Sequence, residues 1–329
     1  METQRQILRI LADGERHSGA ELARTLGITR SAVWKAVRRA EAGLGLAIET
    51  VRGQGYRLRA PLDLLDAERV RAAIAPPQRA RIAHIEIHDE IDSTNSHLMR
   101  AARAGAPSGT LCLAERQSGG RGRHGRCWVS PYGSNLYLSL LWHFALSPAE
   151  LAGLSLAAGT AVADALSSEG VAEIGLKWPN DLLWHGRKLG GLLLELSGEA
   201  TGPSQVVIGV GVNTRLGAAG SAIDQPWTDL EQILGAQAID RNRLAGRVAE
   251  GLLAAVARYA EAGLTPFIAQ WERRDHHRGA AVELRLGERR VLGTHAGITE
   301  QGALRLLTAA GEQTFQAGEV SLRAPGADP

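Results

Sequence analysis

Hydrophobic and polar positions in the first 60 residues predict three short helices followed by two strands. Apolar residues recur at helical spacing in three segments, residues 7–11, 22–26 and 32–42. Gly27 ends the second helix, and Thr29 or Ser31 can cap the third. Residues 47–51 and 56–59 then alternate as the strands of a hairpin. This order predicts a winged helix-turn-helix.

Beyond residue 60 the pattern predicts a larger unit in which strands outnumber helices. Runs typical of strands occupy residues 82–91, 111–115, 135–142, 174–178, 192–196 and 206–212. Helices are predicted over residues 66–74, 96–104, 151–167 and 241–262. Because the helices are too few to serve as crossovers for all these strands, we predict an α+β domain with a mixed sheet.

The C-terminal part changes to short alternating strands separated by glycines, from about residue 279 to residue 323. This pattern is typical of a small β-barrel of the SH3-like kind. The whole chain is therefore predicted to be α+β and to have four parts. These are a winged helix-turn-helix at 1–62, a linker at 63–80, a mixed-sheet domain at 81–275 and an SH3-like barrel at 276–329.

Composition is that of an ordinary globular protein. The 329 residues, 44% of them hydrophobic, suffice for two or three cores. Apolar runs fall short of the roughly 20 residues of a membrane helix, and residues 1–14 lack a signal-peptide pattern. We therefore expect a soluble, cytoplasmic protein without a membrane partner. Cys112 and Cys127 have neither CxxC spacing nor a histidine cluster beside them in sequence, so we expect free thiols and no zinc site.

Positive charge is concentrated at the N-terminus. The whole chain has a formal net charge of +2, yet residues 1–60 contain eleven Lys or Arg and six Asp or Glu. Such an asymmetry suits a nucleic-acid partner for this unit, whose third helix would enter the major groove while the hairpin grips the backbone. The residues predicted to contact DNA are Arg30, Lys35, Arg38, Arg39 and Arg52. A protein-interaction module with a solvated basic face is the alternative.

A glycine-spaced arginine tract occupies residues 119–126, Gly-Gly-Arg-Gly-Arg-His-Gly-Arg. Glycines let the backbone approach a ligand closely, and guanidinium groups suit phosphate or carboxylate oxygens. The tract is therefore predicted to bind an anion, with a mobile surface loop as the alternative. We assign no catalytic role to His124.

Lysine is rare in this chain. Of 37 basic residues only Lys35, Lys177 and Lys188 are lysines. Two of them lie in short motifs beside predicted strands, Lys-Trp-Pro-Asn-Asp at 177–181 and Arg-Lys-Leu-Gly-Gly at 187–191. A compact ammonium on a flexible stem can follow a charge that moves during a reaction. This placement indicates a functional role, although drift in an arginine-rich genome is the alternative.

Five polar motifs at predicted strand ends resemble those of bifunctional biotin–protein ligases and biotin-operon repressors. Besides the two lysine motifs, they are Asp-Ser-Thr-Asn at 92–95, Gly-Arg-Gly-Arg-x-Gly-Arg at 120–126 and Gly-Val-Gly-x-Asn at 209–213. The resemblance extends over about residues 17–323, with the winged helix at its N-terminal end. It implies a biotin/lipoate-ligase-like fold for the central domain.

The resemblance also implies a reaction and its partners. Biotin and ATP would give biotinoyl-5′-AMP and pyrophosphate, usually with Mg²⁺, and a lysine of the biotin carboxyl carrier protein of acetyl-CoA carboxylase would then receive the biotin. A homodimer formed with bound biotinoyl-AMP would repress biotin-biosynthesis genes at operator DNA. The alternatives are a ligase with a non-repressing N-terminal domain, a biotin-sensing regulator without ligase activity and a lipoyl ligase.

Site residues follow from the same resemblance. Biotin binding is assigned to Ser93, Thr94, Asn95, Gln117, Arg121, Gly122, Arg123 and Lys188. Catalysis is assigned to Lys188, Arg123, Lys177 and Asp181, and nucleotide binding to Arg123, Trp128 and Asn213. Trp128 would stack on the base or close the loop, with ordinary packing as the alternative. Asn213 would lie near the ribose or the base.

The roles of the charged residues rest on the repulsion between a carboxylate and a phosphate, which fixed positive charge must offset. The resemblance implies that Lys188 bridges the two anions. Arg123 would hold the phosphate and retain the adenylate. Lys177 would add charge, and Asp181 would orient it or help to place Mg²⁺. No residue is assigned as a dedicated metal ligand.

Overall fold

The N-terminal unit is a winged helix-turn-helix of three helices and a two-stranded antiparallel sheet. Its elements are α1 (Glu2–Leu11), α2 (Gly19–Leu26), α3 (Arg30–Leu44), β1 (Ile48–Val51) and β2 (Gly55–Leu58). The structure is a computed structural model that describes residues 2–51, 53–235, 239–316 and 321–323. The three helices and the hairpin confirm the predicted winged helix-turn-helix.

Local capping explains where the third helix begins. Thr29, in extended conformation, accepts a hydrogen bond from the Ala32 N–H at 3.2 Å, so α3 starts at Arg30, two residues before the predicted start. Gly27 adopts φ 63° after α2 and makes the tight turn between the helices. Val33 and Val37 are fully buried in the core of this unit, which leaves the opposite face of α3 in solvent.

The central domain is built on a seven-stranded mixed sheet. Its strands are β3 (His84–Ile91), β4 (Thr110–Gln117), β5 (Leu136–Phe144), β6 (Ile174–Lys177), β7 (Asp181–Trp184), β8 (Arg187–Gly198) and β9 (Ser204–Val212). Their order across the sheet is β3-β4-β5-β9-β8-β7-β6, with only the β3–β4 pair parallel. The mixed sheet is confirmed, although the short strand β7 was not predicted.

Helices cover both faces of this sheet. In chain order they are α4 (Ala67–Ala72), α5 (Pro76–Arg79), α6 (Thr94–Arg103), α7 (Leu154–Ser168), α8 (Leu230–Leu234), α9 (Arg241–Ala262) and α10 (Thr265–Arg274). The largest core lies between one face and α7 with α9, while α6 packs on the other face through Leu98 and Ala102. Helix α9 has the predicted bounds, whereas α10 was not predicted.

The C-terminal unit is a five-stranded antiparallel sheet. Its strands are β10 (Ala281–Leu286), β11 (Arg289–Ile298), β12 (Leu304–Thr308), β13 (Gly311–Phe315) and β14 (Ser321–Arg323). Buried Trp178 joins this unit to the central domain, because its indole N–H donates to the Gly302 carbonyl at 3.0 Å. The small antiparallel β unit expected here is confirmed. Among the residues that the structure describes, no helix combines the length and apolar content needed to cross a bilayer.

The segment between the first two units packs against the central domain. Leu65, Val70 and Ile74 are buried in the main core, and α4 lies against α9. The winged helix-turn-helix is also held directly, since Arg5 forms a 3.0 Å ion pair with Asp89 and Tyr132 is buried in the core of the N-terminal unit. The N-terminal unit is therefore anchored at several points.

A buried ion pair ties these pieces together. The Arg241 guanidinium lies 2.8 Å from a Glu115 carboxylate oxygen, and the two side chains are only 4% and 2% exposed. Arg241 also donates to the carbonyls of Asp63 and Asn135, each at 2.8 Å. The start of α9, strand β4 and the segment before α4 thus share one buried cation.

We expect Arg241→Ala to lower the free energy of unfolding by about 3–5 kcal/mol, because it leaves the Glu115 carboxylate buried without its partner. Urea denaturation followed by tryptophan fluorescence measures the loss. Arg243→Ala is the matched control, since Arg243 pairs with Glu169 at the surface and its side chain is 59% exposed. Its unfolding free energy should stay close to that of the unmodified protein. Equal losses in both variants would contradict the assigned role of Arg241.

Candidate active site

Glycines on β8 and β9 leave part of the sheet without side chains. Gly209 and Gly211 lie on the same face of β9, and Gly191 of β8 pairs with Gly211. A Cβ atom at Gly211 would come within 2.6 Å of the Trp128 indole, and one at Gly209 would come within 2.1 Å of Asn95 Oδ1. Only glycine allows these two side chains to lie directly on the strand.

The Ser-Thr-Asn motif forms the N-terminal turn of α6 beside this face. Ser93 caps the helix by accepting from the Ser96 N–H at 3.3 Å. The Thr94 N–H and hydroxyl both donate to Gln117 Oε1, at 2.9 and 3.1 Å. Ser139 of β5 lies 2.7 Å from the Thr94 hydroxyl. Neutral donors and acceptors are thus gathered at the end of β4.

Asn95 links the helix to β8. Its Nδ2 donates to the Leu193 carbonyl at 3.0 Å and to a Glu195 carboxylate oxygen at 2.9 Å. The Arg121 guanidinium lies 2.7 Å from the same oxygen. The side chain of Arg121 therefore holds the arginine tract against β8.

The arginine tract folds back on itself. The Trp128 N–H donates to the Gly120 carbonyl at 2.9 Å, and the Gly122 N–H donates to the Arg126 carbonyl at 2.7 Å. Arg123 starts a short 3-10 turn, and its guanidinium donates to Asn180 Oδ1 at 3.3 Å. Burial lowers the pKa of Arg123 from its usual value, although a guanidinium stays charged at neutral pH.

The charged residues lie at the side of the glycine face. Lys188 Nζ is 2.8 Å from Asp181 Oδ1, and the two side chains are 18% and 16% exposed. The same Nζ lies 5.6 Å from the centroid of the Trp128 ring, within cation–π range. Lys177 faces Asp181 in the β6–β7 register and therefore lies on the same side of the sheet. The structure thus places both lysines, Arg123 and Asp181 in one region.

Asn213 has a different environment from these residues. It is 3% exposed, and its Nδ2 donates to the carbonyls of Lys188 and Thr228, at 3.3 and 3.1 Å. Its amide nitrogen thus holds the backbone of Lys188 in place. The predicted contact with a nucleotide stays a prediction.

The predicted DNA-binding residues of α3 lie on its solvent side. Those that the structure describes, Arg30, Lys35, Arg38 and Arg39, are all exposed, whereas Arg52 lies outside the described residues. Sequence reasoning missed Trp34, which is 51% exposed on the same helix with the Arg38 guanidinium 5.9 Å from its ring centroid.

Three polar residues of the central site were also missed. Asn180 holds Arg123, Glu195 holds both Arg121 and Asn95, and Ser139 contacts Thr94. Asn180 lies inside the lysine motif at 177–181, so its motif was the available signal. Ser139 and Glu195 are isolated polar residues within largely apolar strands, and that isolation was their only signal.

Comparisons with known proteins agree with this geometry. The model of the biotin/lipoate A/B protein ligase family matches residues 88–213, that of an HTH domain matches residues 3–57, and that of the biotin protein ligase C-terminal domain matches residues 277–323. The bifunctional ligase/repressor BirA of Salmonella typhimurium is 38% identical over 319 residues, which is 96% of each chain. BirA of Escherichia coli is 38% identical over 320 residues, 97% of this chain and 96% of the relative.

A solved structure gives a similar result. The biotin protein ligase from Aquifex aeolicus, in complex with biotin and ATP, superposes with a TM-score of 0.64 and 31% identity. It covers 74% of this chain and 100% of the Aquifex chain. Since relatives at 38% identity match nearly its whole length, the chain belongs to the biotin/lipoate A/B protein ligase family.

Proposed function

We propose that this chain is a biotin–protein ligase that forms biotinoyl-5′-AMP from biotin and ATP and passes the biotin to a lysine of a biotin carboxyl carrier protein. The observation that carries the proposal is the position of Lys188. It pairs with Asp181 at 2.8 Å and faces Trp128, which lies on the glycine face beside the Ser-Thr-Asn motif. Because the reaction consumes ATP, we place it in the cytoplasm.

Biotin is the substrate that suits the neutral part of the site. Its ureido ring needs uncharged donors and acceptors, and the cluster of Ser93, Thr94, Asn95 and Gln117 supplies them where water has little access. The backbone of Arg121 and Gly122 completes this pocket in our proposal. A lipoyl group has no ureido ring, so it would make fewer hydrogen bonds with these groups and would bind less well.

The charged part of the site suits the first chemical step. A biotin carboxylate oxygen attacks the α-phosphorus of ATP, a new carbon–oxygen–phosphorus link forms, and the bond to pyrophosphate breaks. The two reacting groups are both anions, and Lys188 with Arg123 and Lys177 offsets their repulsion. Asp181 holds Lys188 in position before the anions arrive. In the second step the carrier lysine attacks the acyl carbon, and AMP leaves.

Mg²⁺ is the metal that this proposal includes. Protein sites usually hold it by one or two carboxylates together with substrate phosphates, and Asp181 offers such a carboxylate beside the cations. When bound, the ion would neutralise phosphate charge. For the nucleotide, we propose that Trp128 stacks on the base or closes the loop. Asn213 would act by positioning Lys188.

We further propose that the chain represses transcription as a ligand-dependent dimer at operator DNA of biotin genes. Strand β7 pairs with β8 only as far as Gly191. Residues 192–198 of β8 therefore pair with β9 on one side and, within the described residues, have no partner strand on the other. Leu196 is 42% exposed on this segment, and Glu195 anchors the arginine tract there. An ordered tract would complete this edge as a dimer surface, and the carrier protein would compete for it.

Purified protein with biotin, Mg-ATP and a biotin carboxyl carrier domain should yield biotinylated carrier and pyrophosphate. Avidin blotting and a pyrophosphate assay measure the two products. If neither product forms, the ligase proposal is wrong.

Lys188→Ala should lower the rate of adenylate formation by about 10²–10³-fold while biotin still binds, because a preorganised charge on the reacting anions is lost. Biotin-dependent exchange of pyrophosphate into ATP measures the rate, and calorimetry measures biotin binding. Arg187→Ala is the neighbouring control, since its guanidinium stacks on Trp184 at 5.3 Å. Unchanged exchange in Lys188→Ala would refute the bridging role.

Arg123→Gly should release biotinoyl-AMP about 10–100-fold faster, because a charged hydrogen bond to the phosphate is worth about 1.5–3 kcal/mol. Released adenylate should then label lysines of bystander proteins such as serum albumin. The control is Arg126→Gly in the same tract, whose side chain is exposed. Retention of the adenylate in Arg123→Gly at the unmodified rate would contradict the proposal.

A mobility shift on DNA upstream of biotin genes should appear only when biotin and ATP are both present. Arg39→Ala should weaken the shift and reduce the slope of log affinity against log salt by about 0.9 for each phosphate that the variant no longer neutralises. Arg9→Ala, exposed on α1, should leave both unchanged. Equal shifts with and without ligands would favour a ligase whose N-terminal domain does not repress.

A further inference from the structure

A second cluster of chemically versatile side chains lies at the β3 edge of the sheet and shares no residue with the proposed ligase site. Glu86 and His88 lie on the same face of β3, Cys112 pairs with Glu86 from β4, and His97 lies on α6. One nitrogen, oxygen or sulfur atom from each of the four side chains lies within 4.8 Å of all the others. Two imidazoles, one carboxylate and one thiol thus meet at one point.

The contacts within the cluster leave one nitrogen without a partner. His97 Nε2 lies 2.6 Å from Glu86 Oε2. His88 Nε2 is 3.5 Å from the same oxygen, and this buried nitrogen has no hydrogen-bond partner. An unsatisfied buried nitrogen is costly in a folded protein. Hydrogen bonding among these four groups therefore does not account for the arrangement.

We propose that Glu86, His88, His97 and Cys112 form a binding site for one Zn²⁺ ion. Two nitrogens, one thiolate and one carboxylate are ligands that zinc accepts in tetrahedral sites, whereas Mg²⁺ and Ca²⁺ prefer oxygen alone. With bonds of about 2.0–2.3 Å, tetrahedral ligand atoms lie roughly 3.3–3.8 Å apart. Zinc binding would therefore require rotations of the half-exposed His88, His97 and Glu86 side chains that close the 4.8 Å spacing to this range.

The Cys112 thiol would have to lose its proton to bind zinc. Cys112 is fully buried, and burial raises the pKa of its thiol above the usual value, with the nearby Glu86 carboxylate acting in the same direction. The thiol therefore stays protonated without a metal. Zinc replaces the proton, so binding releases it to solvent.

Zinc at this point would fasten α6 to the sheet. The His97 N–H donates to the Ser93 carbonyl at 2.9 Å, so His97 lies one turn after the start of the helix. Cys112 and Ser139 are paired neighbours, and Ser139 contacts Thr94 and Asn95. The metal would thus stabilise the helix whose first turn carries the Ser-Thr-Asn motif. None of its four ligands is a residue assigned to the biotin-ligase reaction.

The test is zinc binding to the full chain after removal of metal with a chelator. Competition with a chromophoric chelator should give one Zn²⁺ per chain, and zinc should raise the melting temperature. Cys112→Ser and His97→Gln should each weaken binding by at least about 10-fold. With Co²⁺ as the probe, thiolate-to-cobalt absorption should appear in the unmodified protein and be lost in Cys112→Ser.

Matched controls use the other cysteine and a remote histidine. Cys127→Ser and His143→Gln, both at exposed positions, should bind zinc like the unmodified protein and keep its cobalt spectrum. If Cys112→Ser fails to fold, as judged by circular dichroism, His97→Gln on the half-exposed side of α6 decides. The proposal is overturned if the unmodified chain binds no zinc, or if His97→Gln binds it as tightly as the controls. None of these measurements depends on ligase activity.

Discussion

A sheet surface without side chains is the constraint on which the site depends. Because Gly209 and Gly211 carry no Cβ, Asn95 and the Trp128 indole can lie directly on β9. Any larger residue at Gly211 would push Trp128 away from Lys188, whose ammonium lies 5.6 Å from that ring. The approach of helix α6, the course of the arginine tract and the position of Lys188 are thus set by the same two strands.

Electrostatics explain how several cations can coexist before any anion is bound. Lys188, Lys177 and Arg123 would repel one another in a site that is partly shielded from water. Asp181 offsets this repulsion, since it pairs with Lys188 and lowers the energy of the charged form of Arg123. Asn180 adds a neutral acceptor for Arg123. In the proposed reaction, incoming phosphate and carboxylate groups would therefore meet cations that are already oriented, and reorientation would cost little.

The sequence was most informative where local chemistry decides structure. Helix α9 has the predicted bounds because its amphipathic pattern is long, and α3 was misplaced by two residues because either Thr29 or Ser31 could cap it. Strand β7 has only four residues and no periodicity long enough to recognise. Motifs pointed to residues that the structure brings into one region, but not to the pairing of Lys188 with Asp181. The four groups of the Cys112 cluster lie on three separate elements, so the β3–β4 register and the packing of α6 on the sheet bring them together.

The spacing between Trp128 and Tyr132 has a mechanical consequence. The Trp128 indole lies against Gly211 of β9, whereas Tyr132 is embedded in the core of the winged helix-turn-helix. Only three residues separate them, and one is Pro131, whose φ angle is fixed by its ring. Such a short segment leaves little chain length to absorb a shift of the Trp128 indole. A shift of the Trp128 indole would therefore be transmitted to the hydrophobic core of the winged helix-turn-helix.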